Sequence, residues 1–124
     1  MNRQPDLRRG RAYVRGLSAE FLCVLLLRLK GYRILARRYR GPTGEIDIIA
    51  RRGGLIAAIE VKARPSLTDA LEAVSRRQQQ RIIRTLLFFQ SRHPRLAHLD
   101  FRFDLMWVGP RHFPRHIVDA WRVE

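Results

Sequence analysis

The sequence lacks the features that mark secreted, membrane-spanning or zinc-binding proteins. Cys23 is the only cysteine, so no disulfide can form within the chain, and four scattered histidines give no zinc-site spacing. The longest purely apolar run, residues 21–27, is far shorter than the about 20 residues a transmembrane helix needs. Residues 1–15 contain no apolar segment of the secretory kind. These absences predict a soluble, cytoplasmic protein without a membrane partner.

Acidic residues are scarce as well. Asp and Glu number 11 against 25 Lys and Arg, which gives a formal net charge of +14 on 124 residues. So large an excess on one domain's length of chain indicates an anionic partner, nucleic acid before an anionic membrane. Most of the excess is arginine, which suits bidentate contacts with phosphate. An arginine-rich composition without functional meaning is the alternative.

The pattern of the chain predicts one α/β domain, residues 16–124, preceded by a flexible basic arm, residues 1–15. The order helix, three strands, helix, strand predicts a mixed central sheet flanked by helices. Phe101, Phe103 and Trp107 alternate with polar residues in the fourth strand, so their side chains are assigned to the core. The predicted elements are helices over 17–30 and from Ser75 to Pro94, a helical turn over 67–74, strands over 32–39, 45–50, 55–64 and 101–107, and a short strand or turn over 116–121.

The predicted first helix is apolar on two sides. Leucines at 22, 25, 26 and 29 form one stripe, and a second apolar stripe lies nearly opposite. Ser18 is its expected N-cap and Gly31 its expected stop. A helix of this kind is either sandwiched between layers or part of an oligomer contact, so a homodimer is compatible with the sequence.

Two acids and a lysine are predicted to meet at one end of the sheet. Glu60 and Lys62 lie two residues apart in a strand, so they point from the same face. Asp47 lies in the preceding strand, joined to the next by residues 51–54. If all four residues form the loop, Asp47 and Glu60 become diagonal neighbours, about 7–8 Å apart or less at Cβ.

Clustered carboxylates repel each other unless a cation lies between them, and hard divalent cations bind carboxylate oxygens. Asp47 and Glu60 are therefore predicted ligands of Mg²⁺ or Mn²⁺, with the Val61 carbonyl as a further candidate. Lys62 would orient or deprotonate an attacking water, or stabilise phosphate charge, and the sequence leaves these roles open. A surface salt bridge among Glu45, Glu60 and Lys62 is the alternative, and it would contribute little.

Glu20 is the fourth candidate for this site. It lies in line with Leu17, Val24 and Leu27, so it points inward, where an acid is costly unless it is paired or bound to metal. An ordinary glutamate stabilising the start of a helix is the alternative. Both interpretations stay open on the sequence alone.

These residues resemble a known pattern. Asp47…Glu60-x-Lys62 resembles the PD-(D/E)XK nuclease signature, with an upstream helix glutamate as in archaeal Holliday junction resolvases. The segments 44–50 and 60–64 more closely resemble the YraN family of small bacterial proteins. Within residues 16–121, the likeness also covers Ala19-Glu20, Gly31-Tyr32-x-Ile34-Leu35, Leu71-Glu72-Ala73-Val74, Arg81-Ile82 and Arg102-Phe103-Asp104.

The resemblance implies a restriction-endonuclease-like core with Glu20, Asp47, Glu60 and Lys62 at the metal site. The chain departs from the family at two positions. Gln78 stands where the family usually has lysine, although Gln79 matches, and Ala63 replaces the usual Thr or Ser after the lysine of the motif.

The helix after Ser75 offers a basic surface for a nucleic-acid backbone, although a merely solvated helix face is the alternative. The predicted contacts are Arg64, Arg76, Arg77, Gln79, Arg81 and Arg84. No helix-turn-helix or zinc-finger signature is present, so recognition of DNA shape or branching is favoured. Together these features predict a Mg²⁺- or Mn²⁺-dependent endodeoxyribonuclease, acting on branched, repair or recombination intermediates. A non-catalytic DNA-binding module on a nuclease fold is the alternative.

Overall fold

The computed structural model describes residues 19–110 and 113–123. The predicted arm, residues 1–15, and the predicted N-cap Ser18 lie outside these ranges. The elements are α1 (helical over 19–29), β1 (Arg33–Gly41), β2 (Gly44–Arg52), β3 (Leu55–Ala63), α2 (Leu67–Glu72), α3 (Arg76–Ser91), a 3₁₀ turn (Pro94–Leu96), β4 (Asp100–Val108) and β5 (Arg115–Trp121).

The five strands form one mixed sheet in the order β1-β2-β3-β4-β5. Only β3 and β4 run parallel, and the segment between them contains α2 and α3. The other neighbouring strands are antiparallel. This confirms the predicted α/β domain with a mixed central sheet, and the arrangement is consistent with a restriction-endonuclease-like fold.

Helices cover both faces of the sheet. Ile82, Leu86 and Phe89 of α3 are buried in one hydrophobic layer, whereas Cys23 and Leu27 of α1 are buried in the other. Three leucines of the predicted stripe, Leu22, Leu25 and Leu29, are exposed, with Leu29 at 77%. The fourth, Leu26, is half-buried against the layer of α1. The described chain therefore does not sandwich α1 between two layers, and a homodimer stays a prediction.

Local sequence signals place the helix ends. Helix α1 stops at Gly31, whose φ of +89° is left-handed, and the Tyr32 N–H donates to the Leu27 carbonyl at 2.9 Å. This is the Schellman arrangement that the glycine predicts. Helix α3 starts after Ser75, whose hydroxyl accepts the Gln78 N–H at 3.1 Å.

The predicted loop between β2 and β3 is two residues too long. Arg52 pairs with Leu55, so the turn contains only Gly53 and Gly54. Gly53 has a φ of +60°, as two-residue hairpin turns require. The register is consequently two residues away from the expected one, and Ala50 pairs with Ala57.

The assignment of β4 residues to faces also needs correction. Phe101 was expected in the core but is 40% exposed, whereas Asp104 and Met106 are completely buried. The alternating pattern of β4 predicts that one face of this strand is polar and exposed. Helix α1 and strand β5 cover that face. Phe103 is buried, as predicted.

Candidate active site

Two carboxylates lie where β2 and β3 separate. Their backbone pairing ends at Ile48 and Ile59, one residue before Asp47 and Glu60. Beyond that pair, the Asp47 carboxylate Oδ2 accepts the Val61 N–H at 2.8 Å, and Glu60 Oε1 accepts the Asp47 N–H at 3.4 Å. Side chains thus replace the next bonds of the ladder. The shorter turn shifts the register between β2 and β3 by two residues, which keeps each side chain on the same face of the sheet. The two acids therefore lie opposite each other rather than diagonally.

The backbone is irregular at the same point. Ile46 packs in the layer of α3 and Ile48 in the layer of α1, although residues two apart in a regular strand share a face. In the register of β1 and β2, Arg38 lies across from Asp47, between the paired residues on either side. It has a left-handed φ of +51°. Such a conformation is unfavourable for a non-glycine residue and occurs preferentially at functional sites.

Burial shapes the protonation of the acid pair. Burial and then the neighbouring Asp47 charge raise the Glu60 pKa to about 8, against the opposing effect of Lys62. Burial also raises the Asp47 pKa, although the Val61 N–H lowers it. Both shifts disfavour the doubly ionised pair when no cation lies beside it.

Lys62 and Gln78 complete the surroundings of the pair. Lys62 is half-buried, and its charge favours the ionised form of both carboxyl groups. Gln78, in the first turn of α3, directs its side-chain Nε2 to Glu60 Oε2 at 3.4 Å. Its position, where the family usually has lysine, was the sequence signal for this contact. The side chain therefore contacts the acid pair.

Glu20 points inward, as its place in the helix predicted, and is 7% exposed. Its partners are arginines of β1: Arg37 Nε lies 3.4 Å from Oε1, and Arg38 Nε donates to Oε2 at 3.1 Å. Its charge still contributes to raising the Asp47 pKa. Within residues 19–110 and 113–123, no group of three or more His, Cys, Asp or Glu side chains is arranged to hold a metal ion.

The carboxylate pair nevertheless provides a donor set that suits a small hard cation. Mg²⁺ commonly keeps several waters and is held by only one or two carboxylates together with substrate phosphates. Asp47 and Glu60 meet that requirement without a third acid. In the part of the chain that the structure describes, Glu20 Oε1 is buried without a hydrogen bond, so this carboxylate retains acceptor capacity despite its ion pairs.

The predicted nucleic-acid residues fall into two groups. Arg64 and the four α3 arginines are exposed. Gln79, in contrast, is half-buried and donates its side-chain N–H to the Val74 carbonyl at 3.1 Å, which holds the junction between α2 and α3.

Sequence reasoning missed a buried polar network around Asp104. Arg102 donates twice to this carboxylate at 2.7 Å, His116 Nε2 lies at 2.7 Å, and the Asp119 N–H donates at 2.9 Å. Burial alone would raise the Asp104 pKa, but these contacts outweigh it and the pKa is lowered. Arg102-Phe103-Asp104 was visible only as part of the family resemblance.

The family model and the related proteins that match this chain all name the same family. The model described as Uncharacterised protein family UPF0102 matches residues 19–108. A UPF0102 protein of Parvibaculum lavamentivorans is 53% identical over 90% of this chain and 84% of its own length. One of Chelativorans sp. is 51% identical over 98% of both chains. Among the residues described, no helix is long and apolar enough to cross a membrane.

Proposed function

The chain belongs to the UPF0102 (YraN) family, and we propose that it is a Mg²⁺- or Mn²⁺-dependent endonuclease that cleaves DNA. The observation that carries the proposal is the fork between β2 and β3, where Asp47 and Glu60 lie side by side with Lys62 two residues on. The net charge of +14 supports a polyanionic substrate. Branched, repair or recombination intermediates in the cytoplasm are the proposed targets.

Asp47 and Glu60 would hold the cation, which would neutralise charge on the phosphate and make a bound water more acidic. Because the pKa values of both carboxyl groups are raised, binding the cation would displace protons from the pair. Gln78 Nε2 orients Glu60, and the Val61 N–H fixes the Asp47 carboxylate.

Lys62 is placed to act on the substrate itself. Its side chain leaves β3 on the same face as Glu60, because the two residues are two apart. As an ammonium group it would bind a phosphate oxygen, and as a neutral amine it would accept a proton from the attacking water. The exposed arginines of α3 would bind backbone phosphates on either side of the cleaved bond.

A cleavage assay tests this proposal. Labelled duplex, flap and four-way-junction DNA are incubated with the purified protein and Mg²⁺ or Mn²⁺. We expect the parent to cut at least one substrate, and Asp47→Ala and Lys62→Ala to be slower by about 100-fold or more. Glu45→Gln, which removes an exposed charge from the same strand as Asp47, serves as the control. Absence of cleavage, or equal cleavage by all variants, would contradict the proposal.

A DNA-binding module without catalysis is the second candidate. It is favoured by the ion pairs of Glu20 with Arg37 and Arg38, which engage the third acid. In that case the parent binds DNA in a salt-sensitive manner without cutting it, and Asp47→Ala binds equally well.

A further inference from the structure

A groove of about 570 Å³ lies between α3 and the end of β5, separate from the acid pair. Arg76, Gln80 and Arg84 line it from the helix, and Trp121 and Arg122 line it from the strand and the residues after it. The three helix positions recur every four residues, so they form one stripe. We call this feature the α3–β5 groove.

The α3–β5 groove is strongly cationic. Arginines approach it from two different elements, and none of the described residues that line it is acidic. The side chains of Arg77 and Arg81 belong to another stripe of the same helix, and the Cβ of Arg81 faces Gly44 in the β1–β2 hairpin. The basic surface of α3 is therefore divided, and only part of it faces this groove.

Arg122 is held in place by the network around Asp104. Its Nε donates to Asp119 Oδ2 at 2.8 Å, and the Asp119 N–H donates to the buried Asp104 carboxylate at 2.9 Å. Asp119 has a left-handed φ of +56°, which this anchoring maintains. The contacts to Asp119 use two of the five N–H groups of the guanidinium. Arg122 is thus an oriented donor on the wall of the groove.

The indole ring of Trp121 forms the apolar part of the same wall. The residue is 8% exposed and its ring stacks on Phe103, with centroids 6.0 Å apart. The ring therefore packs into the core and gives this side of the groove a fixed shape.

The α3–β5 groove and the acid pair are connected through the sheet and through α3. Trp121 pairs with Phe103, and Phe103 pairs with Ala58, which lies two residues before Glu60 in β3. The first turn of α3 joins the two features, because Arg76 lines the groove and Gln78 contacts Glu60. Arg76 and Arg84 are separated by about 12 Å along the helix axis. That span corresponds to about three or four nucleotide steps of a B-form strand.

We propose that the α3–β5 groove binds the phosphate backbone of one DNA strand and directs it to the acid pair. The inference rests on the proposed function, since it takes DNA as the substrate. It assigns Arg122 and Gln80 to substrate binding, in addition to the helix arginines that the sequence marked. Arg84 and Arg122 would each contact a phosphate from opposite walls.

DNA binding measured in EDTA, without cleavage, tests this inference. The affinities of the parent, Arg84→Ala and Arg122→Ala for labelled single-stranded and duplex DNA are compared across a series of salt concentrations. Each groove variant should reduce the salt slope by about 0.7 on single strands or about 0.9 on duplex. Arg28→Ala, which removes one exposed positive charge from α1 on the other face of the sheet, should leave the slope unchanged. Thermal unfolding of each variant verifies the fold.

The outcomes separate the two proposals. Slopes for Arg84→Ala and Arg122→Ala that match Arg28→Ala would overturn the groove assignment, even if the parent cuts DNA. Reduced slopes in a protein that never cuts would support the groove and refute the endonuclease. A parent that does not bind DNA at physiological salt would overturn both.

Discussion

Asp104 in β4 and the Asp47–Glu60 pair between β2 and β3 are acids of one sheet, but their surroundings differ. Asp104 and Glu60 are buried, and Asp47 is half-buried. Asp104 receives four hydrogen bonds of 2.7–2.9 Å, three of them from arginine and histidine side chains, and its pKa is lowered. The pair receives one short bond, from the Val61 N–H, and two long ones of 3.4 Å. Its pKa values are raised.

The difference shows that hydrogen-bond and ion-pair partners, rather than burial, decide whether the pKa of a carboxyl group is lowered or raised. Arginine and histidine side chains compensate the charge of Asp104, so this residue holds β5 against β4. The pair has fewer such partners, so its pKa values are raised instead. A site in that condition gains most from an added cation.

Removing Asp104 should have the largest effect on stability. Asp104→Ala leaves Arg102 and His116 without their buried acceptor, so we expect a loss of about 3–5 kcal/mol in the free energy of unfolding. Urea denaturation at pH 7 measures it. The control is Asp100→Ala, an exposed acid at the start of the same strand, which should change stability by less than about 0.5 kcal/mol. A comparable change in both variants would remove the distinction between the two sites.

Substitution of Glu60 should raise stability at high pH, in contrast to substitution of Asp104. Its pKa is about 8 in the folded chain against an ordinary value of 4.5, so between these pH values the folded state holds a proton that the unfolded state has lost. Stability should therefore fall as pH rises through this window, by a few kcal/mol. Glu60→Gln should remove most of that fall, leaving the part due to Asp47, and be more stable than the parent above pH 8, in urea titrations without divalent cations. Parallel pH profiles would contradict this expectation.

Substitution of Arg38 should have the smallest effect on the free energy of unfolding. Arg38→Ala removes an ion pair from the buried Glu20 while keeping a side chain at a left-handed φ, so we expect a loss of about 1–3 kcal/mol. Arg38→Gly removes the same ion pair but relaxes the backbone. It should be more stable than Arg38→Ala by about 1 kcal/mol in chemical denaturation. The reverse order would show that the φ of +51° carries no strain.

The sequence predicted those parts of the fold that depend on local patterns. The start of α3 at Ser75 follows from its N-cap, and the acids at 47 and 60 remain neighbours because a two-residue error in register keeps both on their faces. The turn length is wrong because the sequence pattern assigns Arg51 and Arg52 to the loop, whereas both belong to β2.

The missed features depend on contacts between distant segments. The arginine partners of Glu20 depend on how α1 packs on β1, whose register shifts between Ile34 and Ala36. The Asp104 network depends on His116 and Asp119, which a short and weakly patterned β5 brings to β4. No periodicity in the sequence indicates either contact, because both join residues from separate elements.

Calorimetric titration with Mn²⁺ at pH 7 tests the central claim, that Asp47 and Glu60 form a divalent-cation site. We expect one ion to bind per chain, with proton release detected by comparing buffers of different ionisation enthalpy. Asp47→Asn and Glu60→Gln should lose this binding, while Glu45→Gln should retain it. Equal binding by the parent and all three variants, or no binding by the parent, would contradict the presence of such a site.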